Sequence, residues 1–285
     1  MRFRTEIEAQ KAPFRIEHDT PVLLLGSCFT DEIGARLESD GFEVLRNPFG
    51  PLYNPLSILN CLQRASDKLA YTDADLVEGP RGYHCLDYAS RYSGSDAAQV
   101  LADINATQAR LSGFLERKPL VVITLGSAYV YFRRDNGQPS GNCHKFPAST
   151  FERRLLETEE VCSAVLAITA GLEEKGAGRV IFTVSPIRHL ADGLHGNQLG
   201  KATLLLGLDK ALREAGDATY FPSYEIMLDD LRDYRFYASD MKHPSETAAN
   251  YIYEQFSETF FTKTCANAAL EARRRHKASQ HRQIL

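Results

Sequence analysis

Two short segments, far apart in the chain, carry the residue types of a nucleophilic enzyme. The first is Ser27-Cys28, which follows a glycine and the apolar run 22–25 and precedes a predicted helix. The second supplies Asp240 and His243, an acid and an imidazole three residues apart on a predicted loop before the last helix. A nucleophile, a base and an acid that orients the base form a catalytic triad. The spacing therefore predicts Ser27 or Cys28 as nucleophile, His243 as base and Asp240 as the orienting acid.

The Ser27-Cys28 turn is predicted to lie where a buried strand gives way to a helix. Ligands of open α/β sheets bind outside the carboxyl ends of the strands. A thiol at the start of a helix also lies near backbone N–H groups and the positive end of the helix dipole, which favour the thiolate. Taken alone, this turn is more typical of a tight connection around a buried, inert cysteine. Only its combination with Asp240, His243 and further motifs favours catalysis.

Short apolar runs alternate with helical patterns along most of the chain. The apolar runs predict strands at 22–25, 42–45, 119–125, 179–184 and 219–221. The helical patterns predict helices at 30–41 with Thr30 as N-cap, 54–69, 152–174, 197–214, 224–231 and 245–260. Residues 71–96, rich in Gly, Asp, Ser and Tyr, are predicted to pass over the strand ends. The alternation predicts an α/β fold, with a parallel sheet covered by helices on both faces.

Length, composition and charge limit the possible classes of protein. The 285 residues, 44% of them hydrophobic, suffice for one large α/β domain, predicted as residues 1–262, followed by a charged C-terminal tail, 263–285. A net charge of −4 offers no basic surface for nucleic acid or an anionic membrane. The first residues show no signal-peptide pattern, no run is long enough to span a bilayer, and the six cysteines form no CxxC pair. We therefore expect a cytoplasmic protein with free thiols.

Five separated motifs, in this order, resemble those of the GSCFA-domain proteins. They are Gly26 to Thr30, Thr124 to Tyr131, Asn142 to Lys145, Ser185 to His189, and Phe221 through Asp240 to Ser245. The family is named for its motif Gly-Ser-Cys-Phe-Ala, whose last residue is Thr30 here. The wider resemblance is to the SGNH (GDSL-type) hydrolases, which are esterases and acyltransferases. It implies a three-layer α/β/α architecture with a mostly parallel, flavodoxin-like sheet.

The resemblance also implies roles for single residues. An ungapped match to the SGNH motif Gly-Asp-Ser-Leu places Cys28 in the nucleophile position, with Ser27 as the close second choice. Asp240 and His243 match the motif Asp-x-x-His. Ala128 stands where an asparagine donor is usual, and such a donor is worth about 3–4 kcal/mol of transition-state stabilisation. The backbone N–H groups of Cys28 and Gly50 are expected to hold the oxyanion, and Asn142, Asn54 or Ser127 could substitute for the missing asparagine. Gly126 and His189 are further candidates for binding substrate or the oxyanion.

The leading hypothesis is an acyl esterase or acyltransferase that forms a covalent acyl-enzyme without a cofactor. Its substrate is expected to be a small molecule or an acylated carbohydrate, the latter only because SGNH relatives often act on carbohydrates. No metal site is predicted, since Asn142-Cys143-His144 and His84-Cys85 match no ligand spacing. His189 is either a polar loop residue or a substrate contact.

Two other classes of function compete with this hypothesis. One is a non-catalytic ligand-binding module with a degenerate SGNH site, suggested by the missing asparagine. The other is a thiol redox role for Cys28, which ranks last because no CxxC partner is present. Lys201 and Arg188 are interpreted as surface charges, although Arg188 at a strand end could instead hold an anionic substrate group. The sequence does not fix the oligomeric state.

Overall fold

The computed structural model describes residues 4–7, 12–80, 82–216 and 218–282. The strands are β1 (Val22–Gly26), β2 (Val44–Arg46), β3 (Leu76–Gly79), β4 (Gly82–Cys85), β5 (Leu120–Leu125), β6 (Tyr129–Arg133), β7 (Pro139–Ser140), β8 (Phe151–Leu155), β9 (Arg179–Val184) and β10 (Ala218–Tyr220). The helices are α1 (Cys28–Ser39), α2 (Pro55–Ser66), α3 (Ala97–Leu115), α4 (Thr158–Glu174), α5 (Gly193–Glu214), α6 (Ser223–Glu225), α7 (Glu246–Phe260) and α8 (Lys263–Arg282). A π-helical segment, Ile226–Leu231, continues α6.

The central sheet has five parallel strands in the order β10-β9-β5-β1-β2. Every residue of β1 and β5 is buried, as expected for parallel strands that helices cover on both faces. Successive side chains of a strand point to opposite faces. Leu23 and Leu25 accordingly pack with α2, α3, α4 and α5, whereas Val22 and Leu24 pack with α1, α7 and α8. The α/β prediction is confirmed, and the helices on both faces are consistent with three layers.

Helix starts follow the local capping chemistry. Ser27 is the N-cap of α1, because its hydroxyl accepts a hydrogen bond from the Phe29 N–H. The prediction of Thr30 as N-cap is wrong: the helix begins one turn earlier and Thr30 is buried inside it. Asn54 caps α2 and Pro55 occupies its first position, which is where proline is favoured.

One predicted helix and one predicted irregular segment differ from the structure. Helix 152–174 is divided: Phe151–Leu155 forms β8, and α4 begins only at Thr158. β8 pairs antiparallel with β6, which also pairs with β7. Glu152 and its two arginine neighbours have good helix propensity, and cross-strand pairing outweighs that propensity here. Residues 71–96 contain the antiparallel hairpin of β3 and β4, and α3 is absent from the predicted helices.

The predicted C-terminal tail begins as a helix that packs against the core. Cys265 and Ala269 on α8 are buried in the apolar cluster that contains α1 and α7. Arg273 makes two hydrogen bonds, of 2.6 and 2.5 Å, to the carboxylate of Asp40, which is buried at the end of α1. The Tyr253 hydroxyl donates to the same carboxylate at 2.8 Å. Within the described part of the chain, no helix is long and apolar enough to cross a membrane.

Gly26 is the position at which the fold depends most visibly on a missing side chain. Its φ is +137°, and a Cβ atom there would lie 2.1 Å from the Thr124 carbonyl oxygen. We expect Gly26→Ala to lower the free energy of unfolding by more than about 4 kcal/mol, since backbone strain and a backbone clash add. Urea denaturation followed by circular dichroism measures this loss.

Gly113→Ala is the matched control for this substitution. Gly113 lies on the exposed face of α3, and a Cβ atom there would meet nothing within 4 Å. Alanine there should stabilise the helix by about 0.5–1 kcal/mol. A Gly26→Ala protein that unfolds within about 1 kcal/mol of the wild type would contradict the close approach of β1 and β5.

Candidate active site

Ser27 is buried, and its hydroxyl is already used by the fold. Its Oγ donates to Ser185 Oγ at 3.0 Å and accepts from the Phe29 N–H at 3.3 Å. The first bond ties the start of α1 to the residue that follows β9, while the second caps the helix. Ser27 therefore joins two strand ends and has no exposed surface.

Cys28 occupies the first turn of α1 and is partly exposed. Its Sγ lies 3.0 Å from the hydroxyl of Tyr53. Burial, together with the hydrogen bond to Cys28, raises the pKa of Tyr53 well above its ordinary value, so the phenol stays protonated and can donate. The Cys28 N–H has no hydrogen-bond acceptor among the residues that the structure describes. Around the thiol there are thus one free backbone donor and one side-chain donor.

Asp240 and His243 form a directly bonded pair. His243 Nδ1 lies 2.5 Å from Asp240 Oδ2, and Asp240 Oδ1 accepts the N–H groups of His243 and Lys242 at 3.0 and 2.9 Å. These two backbone hydrogen bonds and the imidazole hold the pKa of Asp240 well below its usual range. Because the ionised Asp240 carboxylate accepts the hydrogen bond from His243 Nδ1, His243 Nε2 is the nitrogen that can exchange a proton with a ligand. Nearly half of each side chain is open to solvent.

The segment that follows β9 brings these two groups to one edge of the sheet. Ser185 bonds to Ser27, and the Arg188 N–H donates to the Lys242 carbonyl oxygen at 3.1 Å. The Ser27–Cys28 turn and the Asp240–His243 loop therefore both lie against the segment 185–189, which follows the carboxyl end of β9.

His189, in the same segment, packs against Tyr53 and Gly126. Its ring meets the Tyr53 ring edge-on, with 5.3 Å between centroids, and a Cβ at Gly126 would lie 3.3 Å from its Nε2. Burial, together with the neighbouring charges of Lys201 and His243, lowers the pKa of His189 to about 4. His189 is consequently neutral near pH 7, and its buried Nε2 has no hydrogen-bond partner in the described chain.

Most of the backbone N–H groups expected to bind the oxyanion are already hydrogen-bonded within the protein. The Gly50 N–H donates to the Asn47 carbonyl oxygen at 2.8 Å, so it is not free for a ligand. A Cβ atom at position 50 would lie 2.2 Å from the Ala89 Cβ, so the close packing of Ala89 accounts for a glycine at this position. The Gly126 and Ser127 N–H groups both donate to the Tyr53 carbonyl oxygen, at 2.7 and 2.8 Å.

The two asparagines proposed as substitute donors serve local structure. Asn142 accepts from the His144 N–H at 2.8 Å in a turn beside β4, and no hydrogen bond of the described residues links it to Cys28 or Tyr53. Asn54 is bonded to Ser57 as the cap of α2. The structure brings neither side chain to the thiol. Tyr53, one residue before this cap, is the side-chain donor that sequence reasoning missed.

Lys201 is buried rather than a surface charge, and that interpretation of the sequence is wrong. Only 2% of it is exposed, and its Nζ donates to the carbonyl oxygens of Gly126 and Ser185, each at 2.7 Å. Burial lowers its pKa to about 7. Its position was readable in principle, because Asn197, Lys201, Leu204 and Leu208 share the buried face of α5. Lys201 thus joins the ends of β5 and β9 beneath the site.

The remaining ligand-type residues do not assemble into a metal centre in the part of the chain that is described. No group of three or more His, Cys, Asp or Glu side chains is placed to hold an ion there. All six cysteines are free. The chemistry that this edge offers is that of one partly exposed thiol, an imidazole oriented by a carboxylate, and a few hydrogen-bond donors.

This chain belongs to the GSCFA family, whose sequence model matches residues 21–256. The matched region contains the strand that leads to Ser27 and Cys28, the segment after β9, and the Asp240–His243 loop. Comparison with the curated proteins finds no match.

Lys201 gives the site a pH-dependent contribution to stability. Its pKa of about 7 in the folded protein lies below the ordinary lysine value of 10.5, so the unfolded chain binds more protons between these values. The stability that the wild type has over a Lys201→Met variant should therefore rise with pH from about 7 upward. Methionine also leaves two carbonyl groups without a donor, at a cost of about 1–3 kcal/mol each.

Urea unfolding of both proteins at a series of pH values between about 6 and 9 checks this prediction. Lys210→Met, which removes an exposed lysine from the same helix, should show no comparable trend. A difference between the wild type and Lys201→Met that stays constant across this range would contradict the lowered pKa of Lys201.

Proposed function

We propose that this protein is an acyl esterase or acyltransferase of the SGNH type that works through a covalent acyl-cysteine. The observation that carries the proposal is the arrangement at the end of β9. There the partly exposed thiol of Cys28 and the bonded Asp240–His243 pair flank one segment, while the neighbouring Ser27 hydroxyl is buried and engaged. A thiol also needs less activation than a hydroxyl, because it is partly ionised near neutral pH and strongly nucleophilic.

The proposed reaction has two halves. In the first, the Cys28 thiol gives its proton to His243 Nε2, the sulfur bonds to the carbonyl carbon of the ester, and the departing alcohol takes the proton from His243. In the second, water or an acceptor hydroxyl gives its proton to His243 and attacks the thioester carbon, and the thiol leaves and regains the proton. Asp240 stabilises the imidazolium that forms in each half.

Two donors support the oxyanion in this proposal. The first is the Cys28 N–H, which has no acceptor in the described chain. The second is the Tyr53 hydroxyl, 3.0 Å from the sulfur and therefore within reach of an oxygen two bonds from it. Ala128 is buried and offers no side-chain donor, so Tyr53 takes the part that an asparagine plays in related enzymes.

The proposal also covers the class of substrate and the cellular compartment. We infer an acylated small molecule or carbohydrate as substrate, with no cofactor and with no nucleic-acid or membrane partner. The net charge of −4 argues against polyanionic partners, and six free cysteines fit the reducing cytoplasm.

A non-catalytic binding module is the second candidate function. It is favoured by one observation, namely that the N–H groups of Gly50, Gly126 and Ser127 are all engaged by the protein. Fewer free donors at the site make a weaker oxyanion hole. This alternative predicts ligand binding without any acyl-enzyme.

Substitution of the proposed triad separates the two candidates. We expect Cys28→Ala to abolish acyl-enzyme formation from an aryl acetate and Ser27→Ala to retain much of it, since Ser27 caps α1 and is not exposed. His243→Ala should cost as much as losing the nucleophile, about 10³-fold or more, because residues of one unit are not additive. Asp240→Asn should cost somewhat less, by disturbing the imidazole tautomer.

Intact-mass spectrometry and the burst of aryl alcohol report the acyl-enzyme in these variants. An active Cys28→Ala protein together with a dead Ser27→Ala protein would move the nucleophile to Ser27 and keep the mechanism. Full acyl-enzyme formation in all four variants would place the chemistry elsewhere and overturn the proposal.

Chemical labelling tests the thiol without any knowledge of the substrate. We expect iodoacetamide to alkylate Cys28 faster than Cys143, the other partly exposed cysteine, because burial raises the pKa of Cys143 to about 11. A fluorophosphonate, which labels activated serines, should leave Ser27 unmodified. Peptide mass spectrometry locates each label, and Cys143→Ser provides the matched control. Preferential alkylation of Cys143, or phosphonylation of Ser27, would contradict the assignment of Cys28.

A further inference from the structure

Arg188 lies on the rim of the candidate active site. It directly precedes His189, and its backbone N–H donates to the carbonyl oxygen of Lys242, the residue before His243. The side chain therefore starts from a backbone position that is fixed against the proposed catalytic loop.

The Arg188 guanidinium is held by aromatic rings rather than by a carboxylate. It lies 4.0 Å from the centroid of the Tyr237 ring and 5.2 Å from that of Tyr234. Its hydrogen bond to the Met241 carbonyl oxygen is long, at 3.5 Å. Stacking on an aromatic face orients a guanidinium and leaves the N–H groups at its edge available to an oxyanion.

The acidic groups on the segments around Arg188 have other partners. Asp229 lies 3.5 Å from Arg232, and Asp233 lies 3.8 Å from Arg235. Asp240 is bonded to His243 and to two backbone N–H groups. No carboxylate within the described ranges forms an ion pair with Arg188; Asp233, which lines the same cavity, is instead bound to Arg235.

A cavity of about 110 Å³ opens beside this guanidinium. Its lining consists of Arg188, Arg232, Tyr234 and Tyr237, with Met227 and Leu228 as the apolar part and Asp233 as the acidic residue. Since a water molecule takes about 30 Å³ of liquid volume, the cavity has room for one small group such as a carboxylate or a phosphate. Tyr234, which is 65% exposed, forms the outer side of this space.

We propose that Arg188 binds an oxyanion group of the substrate, a carboxylate or a phosphate, in this cavity. A guanidinium matches both groups with two parallel hydrogen bonds. The assignment of this ligand as substrate rests on the proposed function. It implies that the preferred esters carry a negative charge on the part that reaches past His243. The binding site itself does not depend on catalysis.

Isothermal titration calorimetry with succinate and with inorganic phosphate tests the site directly. We expect the wild type to bind at least one of the two probes and Arg188→Met to bind it about 10- to 100-fold more weakly. Arg188→Lys should lie between them, because it keeps the charge and loses the planar fork. The tighter probe identifies the group as carboxylate or phosphate.

Lys242→Met is the control for the general electrostatic field around the site. It removes a positive charge from the same rim, and Lys242 does not line the cavity. Its effect should stay below about threefold, since an exposed charge is screened by solvent and salt. Thermal unfolding of each variant shows whether loss of the aromatic contacts has disturbed the fold, and Arg188→Lys gives the second measurement if Arg188→Met does not fold.

Two results would overturn this inference. One is equal affinity of the wild type and Arg188→Met for both probes, and the other is no binding of either probe to the wild type at about 10 mM. For active enzyme, an aryl hemisuccinate should have a lower KM than the neutral aryl butyrate, and Arg188→Met should remove that difference. Probe binding that depends on Arg188 in a protein with no esterase activity would leave the anion site standing and reject the proposed function.

Discussion

The close approach of β1 to β5 at Gly26 is the constraint on which the rest of the site depends. Gly26 stands opposite Thr124, and the next residue, Ser27, donates its N–H to the Thr124 carbonyl oxygen at 3.1 Å. Because no side chain separates the two strands there, β1 can end in a sharp turn and α1 can begin at once. The direction in which Cys28 leaves the sheet is set by that turn.

The other strand ends are held by side chains and carbonyl groups rather than by further strand pairing. Lys201 bonds to the carbonyl oxygens that follow β5 and β9, and the Tyr53 carbonyl oxygen accepts the two N–H groups that follow β5. Buried backbone groups must find partners, and at the end of a sheet the neighbouring strand no longer supplies them. The same residues that satisfy the backbone thus determine which donors remain free around the thiol.

Much of this arrangement is readable from local sequence. The bounds of β9 match the predicted strand, and the caps of α2 and α7 stand at the residues where the sequence places them. α3 was also readable, because Asp96 caps it and Val100, Ile104 and Leu111 recur on its buried face. β8 was not, since its pairing with β6 is non-local and its residues favour a helix. The spacing along α5 indicates that Lys201 is buried, but residue type and spacing do not reveal the contacts of Tyr53 and Lys201 with distant strand ends.

The buried carboxylate of Asp40 links the site to a part of the chain outside the family match. Asp40 ends the helix that Cys28 begins, and its one ion-pair partner among the described residues is Arg273 of α8, beyond the matched residues 21–256. Leaving such a charge buried without its cation typically costs about 3–5 kcal/mol. Helix α8 therefore neutralises a charge that the rest of the fold buries, and a recombinant fragment cut at the family boundary would leave that charge without its cation at the end of α1.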